Sequence, residues 1–228
     1  MISDHKLRQD VLEELDFEPS LDASHIAVGV HDGVVTLSGS VPSYADKLAA
    51  ERAAKHVFGV RAFAQNLEIR LPSDKKTADD ETAKRAADIL QWRVGVPADR
   101  ITIKVEKGVV TLGGQVDWQF QRKQAENAVH NLTGVLGITN LIRVSARPPL
   151  PKIKEKIQQA LKRSAELDGS HVTVHAVGGT AILGGKVHAW FERDLAEQAA
   201  WSAPGVTDVQ DDIEIEPWDP VITRSSLQ

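Results

Sequence analysis

The segment Val30-His31-Asp32-Gly33-Val34-Val35-Thr36-Leu37-Ser38-Gly39-Ser40-Val41 recurs as Val105-Glu106-Lys107-Gly108-Val109-Val110-Thr111-Leu112-Gly113-Gly114-Gln115-Val116, and again as Ala176-Val177-Gly178-Gly179-Thr180-Ala181-Ile182-Leu183-Gly184-Gly185-Lys186-Val187. A shift of about 75 residues carries the first copy onto the second, and about 71 more carries it onto the third. Leu15, Leu90 and Leu161 coincide, as do Ala50, Ala125 and Ala196, and Gly59-Val60, Gly134-Val135 and Gly205-Val206. Such a chain is expected to fold as three like modules in series, residues 1–70, 79–145 and 150–216. Linkers at 71–78 and 146–149 carry prolines and polar residues, and a tail occupies 217–228. At about 67 residues each, the modules are near the lower limit for a self-sufficient core, so contacts between them are expected to add stability.

Within a copy, Leu7, Val11 and Leu15, or Ile153, Ile157 and Leu161, place one apolar residue per helical turn on a single face. Alternation then begins at Ile26-Ala27-Val28-Gly29-Val30 and Ile101-Thr102-Ile103-Lys104-Val105. A short turn ending in Gly33, Gly108 or Gly179 leads into a second strand, which predicts a β-hairpin. Ala50, Ala53, Ala54 and Val57 mark a second helix, with Gly59, Gly134 and Gly205 expected at its C-cap. A last alternating strand runs from Phe63 to Ile69, and from Val209 to Ile215. The order α-β-β-α-β predicts an α+β unit, two helices on one face of a small three-stranded mixed sheet. The other face is expected to be partly solvated, with His171, Thr173 and His175 on one side of their strand and Val172 and Val174 on the other.

The hairpin G-V-V-T-L-x-G-x-V, together with Ala-Glu-x-Ala and a Gly-Val before the last strand, resembles the BON domain of bacterial osmotically induced and nodulation proteins. The third copy departs most, with Gly179-Thr180-Ala181-Ile182-Leu183. The resemblance implies a role in osmotic or envelope stress and contact with phospholipid. Many BON proteins are periplasmic or lipid-anchored, whereas Met1-Ile2-Ser3-Asp4-His5-Lys6-Leu7 lacks a signal-peptide h-region and the chain has no lipobox cysteine. A cytoplasmic location is therefore expected, or a periplasmic one if a leader precedes the chain. A cytoplasmic potassium-binding relative joins a BON domain to a LysM module, and no LysM-like segment is present here.

A catalytic machine present three times should repeat its polar residues. The positions identical in all copies are Leu15, Gly33, Leu37, Gly39, Val41, Ala50, Ala53, Gly59 and Val60 with their counterparts, which read as turn and packing residues. Glu51, Glu126 and Glu197 form the one identical charged position. Lys47, Arg122 and Arg193 precede them by four residues, which predicts an i,i+4 ion pair on each second helix. The chain has no cysteine, so disulfides, thiolate catalysis and Cys-based zinc sites are excluded. His171, His175 and His188 cluster in the third copy, but the triplet is not repeated and lacks a zinc-ligand spacing, so no metal or cofactor is expected. Phosphate-loop and nucleophile-elbow motifs are absent. No enzyme is expected.

The copies carry net charges of about −4, +1 and −4, without the concentrated basic face that phosphate binders use, which argues against nucleic acid. No apolar run approaches the ~18 residues of a membrane span. One segment is a basic amphipathic helix: Lys152, Lys154, Lys156, Lys162 and Arg163 flank the stripe Ile153, Ile157 and Leu161, which suggests an anionic phospholipid surface as partner. The structural alternative is that the stripe packs on its own sheet and leaves the lysines solvated. Trp201 replaces Lys55 and His130, a position that tolerates charge and so is expected to face solvent in an isolated copy. An aromatic there calls for a protein partner, self-association or contact between modules. Trp118 and Trp190, at the start of the second helix, are expected to act as a local staple or an apolar tip, and Trp218 in the tail could dock on the third copy. The functional expectation is a non-enzymatic stress-associated binding protein. A potassium or small-ligand sensor, and a protein-stabilising factor under osmotic stress, are the alternatives.

Overall fold

The structure is a computed structural model and describes residues 2–71, 77–145, 153–163 and 171–216. Module 1 comprises α1 (Asp4–Phe17), β1 (Ile26–His31), β2 (Val34–Val41), α2 (Tyr44–His56) and β3 (Ala62–Ile69). Module 2 repeats the order in α3 (Asp79–Trp92), β4 (Ile101–Glu106), β5 (Val109–Val116) and α4 (Gln119–Val129), with its last strand divided into β6 (Gly137–Asn140) and β7 (Arg143–Val144). Module 3 contains α5 (Ile153–Arg163), β8 (Val172–Val177), β9 (Thr180–Val187), α6 (Trp190–Trp201) and β10 (Asp208–Ile215). Most of the linkers and all of the tail, with Trp218, lie outside the described residues, as does Lys152.

The expected α+β modules are present. In each, the hairpin is antiparallel and the second helix returns the chain so that the last strand pairs in parallel with the middle one, giving orders β1-β2-β3, β4-β5-β6/β7 and β8-β9-β10. The parallel register is the same in all three, with Val34 opposite Ala62, Val109 opposite Gly137 and Thr180 opposite Asp208. The division in module 2 is local: Asn140 Oδ1 accepts a hydrogen bond from the Ile142 amide at 3.1 Å, and Ile142 turns into the core. Alternation sends Val35, Leu37 and Val41 beneath the helices, where Leu7, Val11, Leu15, Ala50 and Ala54 meet them, and each module has its own such cluster. The opposite sheet face is open. In β8, Val172 and Val174 are buried while Thr173 and His175 are exposed, the expected division.

One recurrent glycine has a steric cause. At Gly39, Gly114 and Gly185 the backbone φ is 123°, 108° and 102°, and an added Cβ would lie 2.0–2.1 Å from the carbonyl oxygen of His25, Arg100 or His171, where the chain enters the first strand. Only glycine allows that approach. The first two hairpin turns use positive φ at both positions, Asp32 and Gly33 or Lys107 and Gly108. Each is clasped from the start of the first helix: Asp4 accepts the Asp32 and Gly33 amides at 2.8 and 3.0 Å, and Asp79 accepts those of Lys107 and Gly108 at 2.7 and 2.9 Å. These amides, Gly33's foremost, lower the Asp4 pKa, so its contribution is complete above the unfolded carboxyl pKa and is lost as pH falls through the folded one. In the third copy the sequence position of Asp4 and Asp79 is Leu150, which lies outside the described residues, and the turn is Gly178-Gly179.

Two expectations are corrected. Gly59, Gly134 and Gly205 are not C-caps: α2 is capped by Val57, α4 by His130 and α6 by Ser202. The glycines bend the turns that follow, with φ of 95–96°. Nor do the second helices carry the expected ion pairs. Lys47 Nζ donates to the Leu67 carbonyl, Arg122 to that of Asn140, and Arg193 to both the carboxylate and the carbonyl of Asp211. Gln65, Asn140 and Asp211, one repeat position, complete the link; Gln65 and Asn140 donate back to the helix carbonyls of Lys47 and Arg122. The basic residue ties the helix to the last strand because that strand lies directly beneath it, a partner remote in sequence.

Gly39→Ala is expected to destabilise module 1 by about 3–5 kcal/mol, a large part of what so small a module possesses. Gly29→Ala, whose Cβ would meet nothing nearer than 3.9 Å, is expected to change stability by less than about 0.5 kcal/mol. Urea unfolding followed by circular dichroism distinguishes the two.

Candidate functional site

The basic helix and the tryptophans occupy different places. On α5, Ile153, Ile157 and Leu161 are at most 5% exposed in the module 3 core. Lys154, Lys156, Lys162 and Arg163 are exposed, and among the described residues no carboxylate forms an ion pair with them. On β10, Asp208, Asp212 and Glu214 alternate onto the open face while Val209 and Ile213 turn toward the helices; Glu155 lies on α5, and Glu192, Asp194 and Glu197 on α6. The described part of α5 is itself basic, with four cations against the single carboxylate of Glu155.

Trp118, Trp190 and Trp201 lie at the junctions between modules. The first residue of each second helix is Tyr44, Gln119 or Trp190, one repeat position. Tyr44 packs on the core of module 2, and Trp190 on the core of module 1. Burial raises the Tyr44 pKa, and Glu126 and Glu51 raise it further. Over the Trp190 ring stand Lys55 Nζ at 5.2 Å and the Arg193 guanidinium at 5.3 Å, and Phe191 meets His56 at 5.9 Å. Lys55 also pairs with Glu51 at 2.6 Å. Module 1 therefore reaches module 2, and module 3 reaches module 1, from the same repeat position. Trp190 is an inter-module anchor, not a local staple.

Gln119 faces the remaining junction, between modules 2 and 3. It lines an open cavity of about 730 Å³ with Trp118, Phe120 and Lys123 of one module and Asp194, Glu197 and Trp201 of the other. Trp118 and Trp201, separated by more than a full repeat in sequence, line the same cavity. The Trp201 indole donates to Glu197 at 3.1 Å. Crowding by the helices desolvates the Asp194 carboxylate and raises its pKa, opposed by Lys55 and Lys123. The Gln119 Oε1 is buried with no hydrogen-bond partner. The position of Lys55, His130 and Trp201 is only partly exposed in every module: Lys55 stands over the Trp190 ring, and Trp201 also packs against the core of its own module.

The histidines do not assemble. His171 and His188 meet edge to face at 6.2 Å, and His188 Nδ1 lies 3.0 Å from the Glu216 carbonyl, while His175 is elsewhere on the strand. Asp4, His31 and Asp32 bring ligand atoms within 4.8 Å of one another at the clasped turn, where both Asp4 oxygens already accept backbone amides. Among the described residues no helix is long and apolar enough to cross a membrane.

The BON domain family matches this sequence three times, over residues 3–70, 78–146 and 150–217. The chain belongs to the BON domain family. It is 32% identical to the osmotically-inducible protein Y of Escherichia coli (strain K12) over 130 residues, which are 53% of this chain and 62% of that protein, so the match spans somewhat less than two thirds of the relative. Two structures of CdsD, a structural protein of the type III secretion system of Chlamydia trachomatis, one of them of its C-terminal domain, align over 95% and 98% of the chain, and over 100% and 98% of their own. Their identity is 15% and their TM-score 0.26, too low to bear on this fold or its function.

Trp190→Ala is expected to release the third BON module from the first, at a cost of about 2 kcal/mol in docking, while each module stays folded. An increased radius of gyration in small-angle scattering with unchanged circular dichroism is the expected result; an unchanged radius would show that the junction does not depend on this ring.

Proposed function

We propose that this chain is a non-enzymatic, osmotic-stress-related binding protein whose third BON module contacts an anionic phospholipid surface through the outer face of α5. The stress assignment follows the family and the osmotically-inducible relative. The observation that supports the membrane assignment is the exposure of Lys154, Lys156, Lys162 and Arg163 on α5, none of them ion-paired with a carboxylate among the described residues. A net charge of −5 opposes a general attraction to anionic lipid, but a local cluster of cations acts at short range, within a Debye length of the surface.

The burial of Ile153, Ile157 and Leu161 decides the mode of contact. These residues are committed to the module core, so α5 does not insert an apolar stripe into the bilayer. Contact is electrostatic, about 1 kcal/mol for each Lys or Arg near the surface, and decays over a Debye length of about 8 Å at physiological salt.

A protein partner is the second reading, favoured by Phe17 and Trp92. They share one repeat position at the end of the first helix and are 83% and 87% exposed; the third module carries Arg163 there.

The protein is expected to co-sediment with phosphatidylglycerol-containing vesicles at low salt, and to be released at about 0.5 M salt, where the Debye length is only a few ångströms. Changing Lys154, Lys156, Lys162 and Arg163 together to glutamine is expected to weaken binding at least about a hundredfold. Absence of binding at low salt, or binding unaffected by the four changes, would exclude this face and favour the aromatic one.

A further inference from the structure

The three junctions share a construction, and one of them lacks a part. Tyr44 fills the junction of modules 1 and 2, and Trp190 that of modules 3 and 1, each with a ring from the first residue of a second helix packed on the neighbouring core. At the junction of modules 2 and 3 the corresponding residue is Gln119, which has no ring and whose Oε1 is buried without a donor. The space there is the 730 Å³ cavity. Its receiving side differs in the complementary sense: the repeat position that is Lys55 over the Trp190 ring is here Trp201, an aromatic surface in place of a cation.

The charges in the wall are also specific. Arg122 is engaged with the Asn140 carbonyl, and Glu126 with the Asn140 amide. Glu197 has one oxygen occupied by the Trp201 indole. Asp194 accepts no hydrogen bond from any described residue; of the cations that act on it, Lys55 is paired with Glu51 and Arg193 with Asp211, which leaves Lys123 as the uncommitted cation of the wall. A ring with a cationic substituent meets both deficits at once, the missing aromatic surface and the unused carboxylate oxygens.

We propose that the space between modules 2 and 3 is a binding site for an aromatic amine, its ring standing where Tyr44 and Trp190 stand in the other junctions and its ammonium meeting Asp194 and Glu197. A bound amine joins the walls of two modules, so it also strengthens their docking. The site is remote from the lipid-facing side of α5 and does not rest on the membrane reading.

Isothermal titration of the full chain with tyramine, phenol and propylamine tests this. Tyramine is expected to bind saturably at one site, at least about tenfold more tightly than phenol or propylamine, and to raise the Tm. Asp194→Asn is expected to weaken tyramine about tenfold and leave phenol unchanged, whereas Lys123→Met, which removes the competing cation, strengthens tyramine. Gln119→Trp supplies the missing ring from the chain itself, so it should abolish tyramine binding while raising the Tm of the free protein. Tyramine binding no tighter than propylamine, or equal affinity in wild type and Gln119→Trp, would overturn the proposal. Should Gln119→Trp fail to fold, Trp201→Ala takes its place: loss of tyramine binding supports the site and unchanged affinity overturns it.

Discussion

Everything in this chain depends on covering one apolar sheet face. A three-stranded sheet of this size cannot stand alone in water, and the hairpin by itself is marginal. The second helix solves both problems. It lies on the Val35, Leu37 and Val41 side of the sheet, and it returns the chain so that the last strand joins the middle one in parallel. The link from Lys47, Arg122 or Arg193 to the strand beneath fixes that helix in each module. Because the parallel pairing places its partners in the same register three times, variation accumulates at the outer ends of the helices and on the open sheet faces, where it costs little.

The same construction explains how three copies become one protein. The second helix carries a residue at its first position that its own module does not bury, and in two modules this residue is aromatic and enters a neighbour. Tyr44 and Trp190 are therefore equivalent in sequence and equivalent in task. The third instance, Gln119, leaves space in place of a ring. Electrostatic specialisation is likewise confined to one copy, for module 3 has Leu150 in sequence where the others have Asp4 and Asp79, and carries the basic helix and an acidic last strand.

Much of this was legible in the chain. The α-β-β-α-β order, the hairpin, the buried faces of α1 and α5, and the BON resemblance all follow from periodicity and recurrence, because a helix face or a strand face is defined by neighbours along the chain. What was misread shares one cause. Lys47 and Glu51 lie at the spacing of a helical ion pair, yet Lys47 bonds to Leu67, twenty residues away, and Glu51 to Lys55. The position of Lys55, His130 and Trp201 is a different case: it tolerates charge, and Lys55, poised over the Trp190 ring, shows how a charge is accommodated where a neighbouring module covers it in part. The Asp4 and Asp79 clasps left a signal that was available, an aspartate at the same place in two copies, and internal comparison restricted to positions identical in all three passed over it.

The sequence by itself determined the number of modules, the order of their elements and which side of each element is apolar, since these are local properties repeated at a fixed period. Only the tertiary structure decided that Gly39, Gly114 and Gly185 stand against a carbonyl oxygen, that Tyr44 and Trp190 enter other modules, and that Trp118 and Trp201 line one cavity with Asp194. These are contacts between segments far apart in the chain, and no period along a sequence encodes which surface a free helix end will meet.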